Sequence, residues 1–236
     1  MLLNWGNLLI AGVTERQPDI FQPIGLTLGK AAGISASELV KHRQYFADSI
    51  RVSVHNLKFQ RQVHGSKIKK IDRDTPYSES DGMITNKRGI VLCVLVADCC
   101  GILLYDKVHQ AIGAFHSGWR GTHQNIISKG VSAMQHAYDT DPTQLHAYLS
   151  PCASGDKYIV RKDVADLFPT AARPISDDEY LFDNRKRITE QLIECGVLRK
   201  NILVSTECSM SDTRFHSYRR DGSENSGRTA VFIGLK

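Results

Sequence analysis

The chain has 236 residues, of which 42% are apolar and 23% charged, with a net charge of +5 and a pI near 8.9. These values are ordinary for a soluble globular protein, and the length allows one substantial core. No apolar run approaches the roughly 20 residues that span a bilayer, and no Lys/Arg cluster reaches the density of a nucleic-acid patch. Neither a membrane nor a nucleic acid is expected as partner.

Taken in order, Leu8 to Val13 reads as a first strand rather than part of a signal peptide, because the start lacks a basic region and carries Asn4 and Asn7. Arg16 to Lys30, with Pro18 and Pro23, reads as a loop. Ser37 to Asp48 has helical spacing, with Ser35 or Ser37 as cap. Strands are expected at Val52 to Val54, Leu57 to Val63, Lys67 to Ile71 and Met83 to Thr85, with a loop over Arg73 to Ser80. Ile90 to Gly121 holds three short apolar runs, better suited to buried strands than to helices. Thr122 to Tyr138 is spaced as a helix, Leu145 to Leu149 as a strand, and Arg161 to Phe168 as a short helix stopped by Pro169. Asn184 to Cys195 reads as a helix capped by Asp183 and ended by Gly196. Ile202 to Thr206 and Thr229 to Leu235 read as strands, with a basic-aromatic segment, Arg214 to Asp221, between them. Strands and helices do not alternate regularly. The expectation is therefore one α+β domain over 1–236, with mixed β-sheets flanked by helices.

Reactive side chains stand where the central runs stop: Asp98, Cys99 and Cys100 after the first, His116, Ser117, Trp119 and Arg120 after the third. A sheet holds such groups rigidly. With six cysteines in a chain read as cytoplasmic, buried, catalytic or metal-binding roles are expected before disulfides. His64, Cys99 and His116 could form a three-ligand zinc site with an open fourth position. The same residues allow a metal-free reading, in which an imidazole favours a nucleophilic Cys99 thiolate. Cys93 and Cys100 read as small core residues. Asp98 is expected to bond backbone N–H groups or Arg120. The turn His116 to Gly121 opens a helix, whose dipole would favour an anion. Arg120, Arg219, Arg220 and Arg228 are candidates for holding phosphate through their planar donor forks. Trp119, Tyr218 and Phe215 could stack on a flat base. His216 is near the basic segment, where a surface or capping role is equally open.

Five segments together resemble the bacterial YfiH/YlmD family, also called the laccase-domain or polyphenol oxidase family. They are Gln62-Val63-His64-Gly65, Asp81 to Asn86, Leu95-Val96-Ala97-Asp98-Cys99, Phe115 to Thr122, and Ser217 to Gly222 followed by Gly227-Arg228. The resemblance implies a fold similar to the catalytic domain of cytotoxic necrotising factor deamidases. It implies zinc held by His64, Cys99 and His116, with copper as the alternative. Activities ascribed to the family are purine nucleoside phosphorolysis on adenosine, inosine and methylthioadenosine, adenosine deamination, copper-dependent polyphenol oxidation, and peptidoglycan-precursor editing. The sequence departs from the family pattern at Gln17-Pro18, at Gly101 where Pro is usual, at Ala153 to Lys157, and at Glu224 to Ser226.

Phosphorolysis fits the residues best, with a purine nucleoside and phosphate as partners. It needs an anion site, a base-stacking wall and charge stabilisation. Deamination could share that site. A laccase-like oxidase wants several clustered His ligands, and the nine histidines include no His-x-His pair. A peptidoglycan-precursor amidase and a non-enzymatic binding module are the remaining alternatives. A monomer or weak homodimer is expected.

Overall fold

The computed structural model describes residues 1–236. In chain order the strands are β1 (Leu9–Val13), β2 (Leu57–Lys58), β3 (Ile68–Lys70), β4 (Gly82–Thr85), β5 (Val91–Val96), β6 (Cys100–Asp106) and β7 (Ala111–Ser117). They continue as β8 (Leu145–Leu149), β9 (Ile159–Arg161), β10 (Ala172–Pro174), β11 (Glu179–Phe182), β12 (Ile202–Val204) and β13 (Thr229–Leu235). The helices are α1 (Ala36–Ser49), α2 (Trp119–His123), α3 (Ile126–Tyr138), α4 (Lys162–Ala165), α5 (Asn184–Glu194) and α6 (Tyr218–Asn225). None is long and apolar enough to cross a membrane.

Two sheets carry the architecture, as expected for an α+β protein with mixed sheets. One is ordered β1-β13-β5-β2, the other β12-β8-β6-β7-β4-β3. The period-two alternation of strands decides what lies between them. In β5, Leu92, Val94 and Val96 point to the same core as Leu103 and Tyr105 of β6 and Ile112 and Ala114 of β7. Val91 and Cys93 point the other way, onto Phe46 and Ala47 of α1. Ile102 and Leu104 of β6 face Ile127, Val131 and Met134 of α3 and Ile188 and Leu192 of α5. The result is four layers: α1, the smaller sheet, the larger sheet, then α3 with α5. Both sheets are covered on both faces, which is why β5, β6 and β7 read as continuous apolar runs.

Local signals placed several elements correctly. Ser35 forms a capping box with Glu38, and Asp183 accepts from Lys186 N at 2.9 Å. Others were overridden. Val54–Asn56 is a 3-10 turn rather than a strand, and pairing after Leu57 stops at Lys58. Gln62, inside the expected strand, instead brackets Leu95: its Nε2 donates to Leu95 O at 2.7 Å and its Oε1 accepts from Leu95 N at 2.8 Å. The helix expected over Thr122 to Tyr138 is broken at Asn125, which sits at φ 56. The helix dipole at His116–Gly121 is therefore that of the five-residue α2. A small antiparallel sheet, ordered β10-β11-β9, was not legible in the sequence and shortens the helix expected at Arg161 to Phe168 to α4. It packs its own apolar cluster, Val160, Phe168 and Phe182, against Trp119.

Candidate active site

β6 and β7 pair antiparallel with Gly101 opposite His116. That register sets Cys99, just before β6, beside the turn that follows His116. β4 pairs β7 on the other edge, and His116 N donates to Asp81 O at 2.7 Å. β5 stops at Val96, and Asp98 takes φ 81 to turn the chain into the second sheet. The alternation therefore does not continue through Cys99. Cys93 packs under α1, Cys100 packs under α3, and Cys99 faces the open edge between the sheets.

The ligand atoms of His64, Cys99 and His116 all lie within 4.8 Å of one another. The two imidazoles meet edge to face, with ring centroids 4.8 Å apart. His64 is exposed, Cys99 half-buried and His116 buried. Gly118 has to be small: a Cβ there would stand 2.8 Å from Cys99 Sγ and 3.5 Å from His64 Cδ2.

Asp81 holds this cluster together, and sequence reasoning did not single it out as a site residue. Its Oδ1 accepts from His116 Nδ1 at 2.8 Å and from His64 N at 3.0 Å. Its Oδ2 accepts from Val63 N at 3.0 Å and Gly65 N at 2.9 Å. The one available signal was its place at the head of Asp81-Gly82. Burial opposes ionisation of Asp81, but the hydrogen bonds from His116 and the backbone outweigh it and hold the carboxyl below its usual range. With Nδ1 committed to Asp81, His116 presents Nε2 to the cluster.

Burial likewise opposes a charged Cys99, yet His116 and His64 bring the thiol down to about 6. His116 is raised to about 9, because Cys99 and Asp81 overcome its burial. The favoured state is thiolate beside imidazolium. A soft thiolate, two imidazoles and a carboxylate behind one of them also fit a transition metal, since carboxylate-backed histidine is a common metal-ligand arrangement. The residues present thus form a group that could hold a metal ion, with an open side.

That side faces a pocket of about 940 Å³. Trp119, Tyr158 and Tyr218 supply aromatic wall, and Arg120, Arg219 and Arg228 line it with cationic groups. Arg120 lies 4.3 Å over the Trp119 ring and Arg219 lies 5.2 Å over that of Tyr158. The turn after β7 is fixed by a buried network. Thr122 Oγ1 donates to Asn184 Oδ1 at 2.7 Å, and Asn184 Nδ2 donates to Ser117 O at 2.9 Å.

Three expected residues are placed otherwise. Arg220 does not line the pocket; its guanidinium donates to Asp221 and to the carbonyls of Ser209, Asp212 and Phe215. Asp98 takes the first of its two expected kinds of partner, a backbone N–H: it accepts from Arg219 N, and also from Ser209 Oγ, each at 2.7 Å, and not from Arg120. Phe215 is 1% exposed and belongs to the core between the sheets. His216 is also buried: its Nε2 donates to Leu26 O at 2.9 Å, and its Nδ1 accepts from Gly227 N at 3.1 Å. Burial pushes its pKa down to about 4. It is a neutral structural histidine, neither a surface residue nor a helix cap.

Residues 11–236 match the family described as multi-copper polyphenol oxidoreductase laccase. Purine nucleoside phosphorylase YlmD of Bacillus subtilis is 29% identical, over 97% of this chain and 89% of that one. A purine nucleoside phosphorylase of Aquifex aeolicus is 36% identical, over 73% of this chain and 80% of that one. Among solved structures, YlmD from Geobacillus stearothermophilus superposes with a TM-score of 0.91 at 26% identity, covering 97% of this chain and 92% of that one. The hypothetical protein YfiH of Bacillus licheniformis gives 0.90 at 25% identity, covering 97% and 93%. With its YfiH- and YlmD-like fold and its His/Cys/His group at the mouth of a cationic pocket, the chain belongs to this laccase-like family.

Proposed function

We propose that the chain acts, as one catalytic unit over 1–236, as a purine nucleoside phosphorylase that also deaminates adenosine. The observation that carries this reading is the convergence of His64, Cys99 and His116 on one side of a pocket with aromatic walls and with the guanidinium groups of Arg120, Arg219 and Arg228, none of which pairs with a carboxylate. Relatives named purine nucleoside phosphorylase support it.

In phosphorolysis a phosphate oxygen bonds to C1′ of the ribose as the bond from C1′ to the base nitrogen breaks. The base leaves with the electron pair and takes up a proton. Two demands follow. The phosphate needs cationic donors beside C1′, and Arg120 and Arg219 supply them without a carboxylate competitor. The base needs a stacking surface, given by Trp119, Tyr158 and Tyr218. His64, Cys99 and His116 would hold zinc, with copper as the alternative, and the metal would supply Lewis-acid stabilisation or an activated water. Asp81 fixes the His116 tautomer and keeps Nε2 aimed at the cluster. Deamination needs water delivered to purine C6, and the open side of the same group faces the same pocket.

A single three-residue His/Cys group offers one metal position, whereas multicopper electron transfer needs several. This favours phosphorolysis over oxidase chemistry. The test is product analysis with adenosine and inosine, with and without phosphate, on wild type and Cys99→Ala. Phosphate-dependent release of free base that Cys99→Ala abolishes supports the proposal, and inosine formed from adenosine supports deamination. Phenol turnover with near-stoichiometric copper, or cleavage of a muramyl peptide, without any base release would overturn it.

A further inference from the structure

Six cationic side chains line the pocket: Lys30, Arg43, Arg61, Arg120, Arg219 and Arg228. Its one acidic lining residue, Asp98, is already engaged by Ser209 and Arg219 N. Arg61 is paired with Glu79 outside the pocket lining. No carboxylate pairs with the other five cations. After Asp98 and Glu79 are counted, four positive charges remain. One phosphate carries about −1.5 to −2 at neutral pH, so a single phosphate leaves roughly half of that charge unmatched.

The cations fall on two sets of elements. Arg120 and Arg219 belong to α2 and the start of α6, on the side of the pocket that holds the His/Cys/His group. Arg43 and Arg228 are pinned instead to one residue, Leu28. Arg43 Nε donates to Leu28 O at 3.0 Å, and Leu28 N donates to Arg228 O at 3.2 Å. Arg228 N also donates to Thr27 Oγ1 at 2.8 Å. Gly29 has to be glycine here, because a Cβ would stand 2.9 Å from both Arg228 Cγ and Leu95 Cδ1. Lys30 follows at once. The Arg43 guanidinium stacks 4.1 Å over Phe59, is half-buried, and keeps both terminal nitrogens free of protein acceptors. A half-buried cation without an acid partner costs stability unless an anion completes it. Leu95, which touches this corner, stands four residues before Cys99, at most roughly 13 Å of extended chain away. A nucleoside carrying a 5′ substituent can bridge that span.

We infer that Lys30, Arg43 and Arg228 form a second oxyanion subsite, separate from Arg120 and Arg219, that takes a phosphoryl group. The group is either the 5′-phosphate of a purine nucleotide or a second inorganic phosphate. The nucleotide form rests on the proposed phosphorylase reading; the subsite itself does not.

Titration calorimetry on the purified protein tests it, with adenosine, adenosine 5′-monophosphate and inorganic phosphate as probes. Without added phosphate, which would fill both subsites and let adenosine be consumed, the wild type is expected to bind adenosine 5′-monophosphate at least tenfold more tightly than adenosine. Arg43→Gln brings that ratio toward one. Lys30→Gln, an exposed change that does not threaten folding, lowers it about threefold. If the second group is inorganic phosphate, the ratio stays near one, and two phosphates bind per chain in the wild type but one in Arg43→Gln. A ratio near one together with one phosphate per chain overturns the subsite. Failure of adenosine to bind at all overturns the phosphorylase reading, while the phosphate count still decides this one.

Discussion

Replacing Asp81 by Asn keeps the side-chain shape and removes an acceptor. The carboxylate serves four N–H donors, two on each oxygen. Whichever way the amide is turned, its NH2 faces two of them. A buried donor left without an acceptor costs about 1–3 kcal/mol, so Asp81→Asn should lower stability by about 2–6 kcal/mol. The metal group should suffer separately, because loss of a carboxylate behind a ligating histidine typically weakens metal binding about 10–100-fold. Chelator competition on the folded variant, with urea unfolding of the metal-free protein alongside, reads the two effects apart. Asp81→Glu, which retains the charge, should recover part of the metal affinity. Wild-type metal affinity in Asp81→Asn would refute the idea that this carboxylate orients His116.

Gly118→Ala places a methyl 2.8 Å from Cys99 Sγ; metal affinity should fall at least tenfold while the melting temperature stays within a few degrees, and an unaltered affinity would count against the cluster geometry. Thiol titration of Cys99 in metal-free protein should show thiolate forming near pH 6 and moving toward the ordinary value near 9 in His116→Ala, since His116 is the main opposing influence to burial; an unchanged midpoint would dismiss the pairing. His216 has a folded pKa of about 4 against 6.5 when free, so the unfolded chain binds the extra proton between those values. Stability is full above pH 6.5 and falls by about 3 kcal/mol as pH drops to 4, measurable as a urea midpoint that declines in that window; a midpoint flat to pH 4 would contradict the buried neutral imidazole. Arg220→Gln leaves Asp221 with Arg16 as its one cation and strands the carbonyls of Ser209 and Phe215, and should cost about 1–3 kcal/mol; a raised KM for phosphate at an unchanged melting temperature would instead restore Arg220 to the binding surface.

The Gly101 departure from the family pattern has a local explanation. Gly101 N donates to Ser150 Oγ at 2.9 Å, a bond that proline could not make. A Cβ on Gly101 would also stand 2.5 Å from Val231 Cγ2, across the gap between the sheets. The two residues belong together, but nothing in either stretch of sequence says so.

What the sequence determined by itself was whatever depends on neighbours along the chain. Apolar runs specified β5, β6 and β7, Ser35 and Asp183 announced their helices, and motif order marked His64, Cys99 and His116. Tertiary structure decided the pairings between segments far apart in sequence. It gave Asp98 to Ser209 and Arg219 and Asp81 to His116, and it gathered Lys30 and Arg43 from a loop and a helix into the pocket. The physical reason is that hydrophobic periodicity is a local property, read residue by residue. A charge's partner is settled by which groups the packed sheets bring within about 3 Å, and that distance is set only when the layers close.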